Sequence, residues 1–168
     1  MLLPKPHLSY SAITLWIKNP ERFRREYFEN VDKLDTKYLR FGSGIAKMIE
    51  EGKHKELLPD LIVYPIPEHE IRWTLEGIPL LSYLDSYDPE NNVFREVKTG
   101  KIAWTRAKVQ KHEQLVFYAT ALEVVTGKMP EYCDLDWVET KDGRIEGTDF
   151  WREGEDVINV TGRVVSFH

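Results

Sequence analysis

Asp85 closes an apolar run that begins at Ile78, and after the turn residues Asp88-Pro89-Glu90-Asn91-Asn92 the chain continues as Phe94-Arg95-Glu96-Val97-Lys98-Thr99-Gly100-Lys101. Side chains two apart on a strand share a face and lie roughly 6.6–6.8 Å apart, so Glu96 and Lys98 point one way and Val97 the other. The turn composition reverses the chain and folds the strand carrying Asp85 back beside the one carrying Glu96. Asp85 and Glu96 could then share one divalent cation next to an ammonium group. Two carboxylates and an amine so placed are the minimal equipment for metal-assisted phosphodiester hydrolysis. Two other readings use the same residues: an exposed hairpin with salt-bridging charges, or a structural ion pair in which Lys98 alone offsets the cost of burying Asp85.

The elements that must hold these residues can be read from pattern. Residues 61–64, 70–75 and 78–87 have strand-like content, interrupted by Pro65, Pro67 and a Glu76-Gly77 turn. The run before Asp85 is apolar at nearly every position, as in a strand covered on both faces, with Leu80, Ser82 and Leu84 on one side and Leu81, Tyr83 and Asp85 on the other. Residues 106–126 read as one helix ending at Gly127, with Val109, Val116, Ala119 and Leu122 in its core stripe and Gln114 and Tyr118 one turn apart beside it. The N-terminal third reads as three helices. Ser11 caps the first, Asn19-Pro20 opens the second, and Asp35 or Thr36 starts the third, which turns Tyr38, Phe41, Ile45, Met48 and Ile49 inward and stops at Gly52. After Pro130 come a strand over 132–139, an Asp142-Gly143 hairpin turn, a strand over 145–151 and a final strand from Val164.

Length and composition bound the answer. A chain of 168 residues, 42% hydrophobic and 12% aromatic, supports one well-buried core, which gives a single domain over 1–168 with a helical part over 1–52 and a sheet with its flanking helix over 61–168. Pro4, Lys5 and Pro6 interrupt the N-terminal apolar run, and no stretch approaches the ~18–20 apolar residues of a membrane span, so no membrane partner is expected and a cytoplasmic location is. Cys133 is the only cysteine, which excludes an iron–sulfur cluster or any centre built from several thiolates, and it reads as an inert core residue. A net charge of −5 argues against a coat protein for nucleic acid. Locally the balance reverses: Arg95, Lys98, Lys101, Arg106, Lys108 and Lys111 face a single acid, Glu96, and Trp104 among them could stack on a base or cap the core. His69 and His112 have no ligand-like spacing to the site.

Asp85, then Glu96-Val97-Lys98-Thr99-Gly100-Lys101, then Gln114-Leu115-Val116-Phe117-Tyr118, resembles the signature of the PD-(D/E)XK nuclease superfamily, in particular its RecB-type branch, which includes phage exonucleases and the CRISPR adaptation nucleases. Leu8-Ser9-Tyr10-Ser11 through Trp16, and Asn19-Pro20 through Tyr27, resemble that branch's N-terminal helical entry. The resemblance implies a restriction-endonuclease-like α/β core with a mixed central sheet flanked by helices. It implies a metal-dependent deoxyribonuclease, exonuclease-like, acting in recombination, repair or phage DNA processing in a bacterial, archaeal or virus-infected cell. The metal would be Mg²⁺ or Mn²⁺, hard cations that prefer oxygen, on Glu50, Asp85, Glu96 and the Val97 carbonyl. Lys98 would position water or stabilise charge on phosphate, Gln114 and Tyr118 would hold the lysine or the DNA, and Lys101, Trp104, Arg106, Lys108 and Lys111 would bind DNA.

Two departures from the branch stand out. Its Gly-x-x-x-His-x-x-x-Glu helix maps onto Gly42, Ala46 and Glu50, so the histidine ligand is an alanine here. Asn19-Pro20 stands where iron–sulfur relatives have Cys-Pro. Relatives also continue with another helix beyond the final strand, so the resemblance implies a compact or truncated version. The alternatives left open are a catalytically inactive relative that binds nucleic acid or a protein partner, and a structural domain whose charged hairpin is coincidental.

Overall fold

The computed structural model describes residues 5–29, 31, 37–100, 102, 104–140 and 157–166. The chain enters through β1 (Leu8–Ser9), α1 (Tyr10–Lys18) and α2 (Pro20–Tyr27). Ser9, and not Ser11, caps α1 by accepting the Ala12 N–H at 3.3 Å, so the helix starts earlier than its apolar pattern suggested. Asn19 caps α2 through the Arg22 N–H at 3.0 Å, with Pro20 in the first turn where its missing donor costs nothing. Phe23 and Tyr27 share a face and stack with centroids 4.6 Å apart. Next, α3 (Lys37–Glu50) buries Ile45, Met48 and Ile49, and the left-handed Gly52 at φ 69° ends it before the short α4 (His54–Leu57).

Residues 61–64 are not a strand. They run as irregular chain up to Pro65, fixed by burial of Leu61 and by the Tyr64 N–H, which donates to Ser86 Oγ at 3.0 Å. The strand begins after that proline, as β2 (Ile66–Leu75), and turns at Glu76-Gly77, both at positive φ as a tight hairpin requires, into β3 (Ile78–Asp88). From there β4 (Val93–Gly100) pairs antiparallel with β3, β5 (Tyr132–Thr140) pairs parallel with β4, and β6 (Val157–Ser166) pairs antiparallel with β5. The described strands form one mixed sheet in the order β1-β3-β4-β5-β6, with β2 on the other edge of β3. The expected Asp142-Gly143 turn and the strand over 145–151 lie outside the described residues.

The parallel β4–β5 connection runs over the sheet through two helices where the pattern suggested one, α5 (Arg106–Gln110) and α6 (Glu113–Thr126). The break falls at His112, whose extended backbone opens α6. This shift moves the buried stripe to Leu115, Tyr118, Ala119 and Leu122 and leaves Val116 exposed, contrary to the expected stripe. Alternation along β4 and β5 then builds two cores. Phe94, Cys133 and Leu135 pack with Leu115, Ala119 and Leu122 of α6, while Val97 and Val138 pack with Ile45, Met48 and Ile49 of α3. The sheet is thus a middle layer between α6 and α3.

Because β2 occupies one edge of β3 along nearly its whole length, β1 and β4 must share the other. Parallel β1 takes Leu80 and Leu81, and antiparallel β4 takes Ser86 to Asp88. Between these stretches the edge of β3 has no strand neighbour among the described residues. Asp85 is the last residue of that fork.

Candidate active site

The β3–β4 ladder ends at the pair Ser86 and Arg95, and one more step in the same register would set Asp85 against Glu96. Backbone pairing is replaced there by a side chain: the Val97 N–H donates to Asp85 Oδ2 at 2.6 Å. The carboxylate therefore sits where a carbonyl would otherwise be, which explains why the two strands part at this point. Glu96 is buried, and its Oε1 accepts from Lys98 Nζ at 2.5 Å. Lys98 makes its ion pair with Glu96 and not with Asp85, so it does not by itself account for the Asp85 carboxylate.

A side-chain relay leads from the lysine into α6. Lys98 Nζ donates to Gln114 Oε1 at 2.6 Å, and Gln114 Nε2 donates to the Tyr118 hydroxyl at 2.8 Å, the contact expected of residues one helical turn apart. His112 Nε2 lies 3.0 Å from the same Gln114 oxygen, and its ring packs edge-on to Trp104 at 4.8 Å. Spacing along the sequence had set His112 aside, since only the break between α5 and α6 brings it here. Burial and then Lys98 hold the His112 imidazole below its usual pKa, which favours the neutral ring. Burial raises the Tyr118 phenol well above its ordinary range, so it remains a neutral hydrogen-bonding group.

The charge balance is uneven. Burial and then the neighbouring Glu96 push Asp85 well above the usual carboxylate range, against the opposing pull of the Val97 amide and Lys98. Burial pulls Lys98 down, but the carboxylates of Glu96 and Asp85 outweigh it and the ammonium is net favoured. Two acids thus share one cation in a partly dry site, and Glu96 Oε2 is buried without a hydrogen-bond partner. An orphaned buried carboxylate oxygen beside a second carboxylate fits an oxygen-seeking divalent cation. Among the described residues no three His, Cys, Asp or Glu side chains gather closely enough to ligate one ion directly, so two carboxylates, backbone carbonyl and water are the donor set on offer.

On the other side α3 closes over Asp85. Gly42, Ile45, Ala46 and Ile49 line a cavity of about 190 Å³ together with Asp85, Val97, Lys98 and Thr99. A side chain at Gly42 would meet Thr99 Oγ1 at 3.5 Å, an ordinary contact, so the helix approaches β4 closely at this turn. Ala46, at the position where the resemblance calls for histidine, faces Asp85 across this space. Glu50 does not line it: it is exposed at the last residue of α3.

The basic stretch divides. Arg95 points away from the site and is buried between Asp134, at 3.1 Å from Nη1, and Asp136, at 3.0 Å from Nε, with the Tyr64 ring beneath it. It is a core ion pair rather than part of a charged surface, because β4 alternates and only its even positions meet α6. Lys108 lies over the Trp104 ring at 4.0 Å, and Lys111 is exposed beside it at the end of α5. Arg106 opens α5, and Lys101 lies outside the described residues.

Among the described residues no helix is long and apolar enough to cross a membrane. No protein-family model matches the sequence, and no curated protein matches it. Solved structures do: the crystal structure of a "putative exonuclease" from Eubacterium rectale superposes with a TM-score of 0.65 at 11% identity, over 97% of this chain and 73% of the other. At that identity the likeness is one of fold, and the two chains share a mixed sheet flanked by helices, the restriction-endonuclease-like arrangement.

Proposed function

We propose that this chain is a metal-dependent DNA nuclease of the PD-(D/E)XK type, close to the RecB-type exonucleases. The observation that carries the proposal is the buried, unpartnered Glu96 Oε2 next to Asp85, with Lys98 on the same strand face as Glu96. Mg²⁺ or Mn²⁺ would be held by Asp85, Glu96 and the Val97 carbonyl, and when bound would neutralise phosphate charge and acidify an attacking water. Lys98 supplies a fixed positive charge for the phosphate as its charge builds. Gln114 fixes the lysine, and Tyr118 from α6 and His112 from its N-terminal cap fix Gln114. Lys108 over Trp104 offers a backbone phosphate a cation and a base a stacking face. The name of the Eubacterium rectale protein supports an exonuclease, and DNA as the substrate, with recombination, repair or phage DNA processing as the setting, is what the resemblance to the RecB-type branch implies.

One observation favours a second reading. Ala46 leaves a cavity where the resemblance places a histidine ligand, as in a relative that still binds nucleic acid but no longer cuts it. Incubating the purified chain with linear and circular DNA, single- and double-stranded, with Mg²⁺, Mn²⁺ or chelator, separates the two. Metal-dependent loss of linear substrate alone supports an exonuclease. Binding without cleavage under every metal supports the silent relative.

A further inference from the structure

The other edge of Asp85 also carries an acid. In the β2–β3 ladder Pro67 pairs with Ser86 and His69 with Leu84, so Glu68 is the residue between them, opposite Asp85. It drops out of the ladder with φ at 47°, a left-handed conformation uncommon for a side chain of this size. Glu68 is partly buried and stands outside every ion pair of the described residues. Burial, then the charge of Glu50 at the end of α3 and then that of Glu96 raise its pKa, so Glu68 lies within electrostatic reach of Glu96 as well as of α3. Carboxylates thus sit on three adjacent strands, Glu68 on β2, Asp85 on β3 and Glu96 on β4. A separate observation points from this row to an oxygen-seeking ligand: the Glu96 side chain is 5% exposed and its Oε2 has no hydrogen-bond partner.

We propose that Glu68 is a third acidic group of the cation site, acting from beyond direct contact through the ion's hydration shell and adding its negative charge to that of Asp85 and Glu96 where α3 presents only Ala46 to the cavity. Divalent magnesium keeps several waters even in protein sites, so a carboxylate one water away still stabilises it. Glu68 is therefore a positioning residue. This inference rests on the assignment of Asp85 and Glu96 as the metal carboxylates, and its test keeps the two apart.

Mn²⁺ binding, followed by electron paramagnetic resonance of the free ion, is compared in the wild type, Asp85→Asn, Glu68→Gln and Glu68→Gly. Glycine accepts the left-handed backbone at this position, so Glu68→Gly removes the carboxylate without straining the turn. Both Glu68 variants are expected to bind Mn²⁺ about tenfold more weakly than the wild type, with melting temperatures in chelator equal to or above the wild type's. Asp85→Asn is expected to lose binding outright. If Asp85→Asn loses Mn²⁺ while both Glu68 variants retain wild-type affinity, the role of Glu68 is overturned and the site stands. If the wild type itself binds no Mn²⁺, the metal site and the role of Glu68 fall together.

Discussion

Lys98 Nζ donates to Gln114 Oε1 across 2.6 Å, a bond from a strand of the central sheet to the first turn of α6. The ammonium has a second partner in Glu96, so the glutamine does not neutralise it; it fixes where the charge is held. The Tyr118 hydroxyl, receiving the Gln114 amide at 2.8 Å, orients the glutamine oxygen toward the lysine.

Gln114→Ala should therefore slow cleavage more than it weakens substrate binding. A hydrogen bond to a charged group is worth about 1.5–3 kcal/mol, and each ~1.4 kcal/mol is tenfold in rate. Single-turnover cleavage is expected to fall by about 10- to 100-fold with KM little changed. A wild-type rate accompanied by a lowered melting temperature would reduce the relay to a structural contact.

Lys98→Ala is expected to lose cleavage by about 10²–10³-fold, the usual effect of removing one donor aimed at developing charge. DNA binding in Ca²⁺, measured by fluorescence anisotropy, should persist because Lys108 and Trp104 are untouched. Loss of binding in parallel with cleavage would show that Lys98 holds the ground state and not the transition state.

How far the sequence led depends on the kind of position. The contacts among Asp85, Glu96, Lys98, Gln114 and Tyr118 agree with local pattern: period-two spacing puts Glu96 and Lys98 on one face, period-four spacing joins Gln114 to Tyr118, and the Asp88–Asn92 turn folds Asp85 back beside β4. Glu68 was not, since its place opposite Asp85 depends on the β2–β3 register and on a left-handed residue that is not glycine. His112 was hidden because no glycine or proline marks the break between α5 and α6; tertiary contacts to Trp104 and Gln114 hold it. Arg95 counted toward the local basic excess because its partners, Asp134 and Asp136, come from a strand about forty residues later. The strand expected over 61–64 failed at Pro65, and the chain resumed its ladder only at Ile66.

That division of the basic stretch has a measurable consequence. Arg95→Ala leaves Asp136 buried and Asp134 half-buried without their cation and should cost about 3–5 kcal/mol in urea unfolding, as other broken buried pairs do. It should leave the salt dependence of DNA binding unchanged. Lys108→Ala and Lys111→Ala should be nearly neutral for stability, and each that contacts a duplex phosphate should reduce the salt slope by about 0.9. A reduced slope in a folded Arg95→Met variant would place that residue on the binding surface and overturn its reading as a core ion pair.

Metal should stabilise the fold itself. A ligand at about 100 times its Kd adds about 2.7 kcal/mol, which for a domain of this size is on the order of 5–10 °C in melting temperature. Millimolar Mg²⁺ or Mn²⁺ is expected to give a rise of this order in the wild type and none in Asp85→Asn. An unchanged melting curve in the wild type would remove the main support for a metal at Asp85 and Glu96.

Ala46 offers the test by gain. It faces Asp85 across a cavity of about 190 Å³, enough for an imidazole without displacing Ile45 or Ile49. Ala46→His should strengthen metal binding and shift preference toward Mn²⁺, which accepts nitrogen more readily than Mg²⁺ does. The sequence nominated Glu50 as this helix's ligand, but its exposure at the end of α3 predicts that Glu50→Ala changes Mn²⁺ affinity less than about twofold, well under the tenfold expected of Glu68→Gln. Calorimetric titration of Mn²⁺ into the three variants orders them. If Glu50→Ala costs more than Glu68→Gln, α3 swings its terminal residue into the site on metal binding, and the ligand set reverts to the one the resemblance implied.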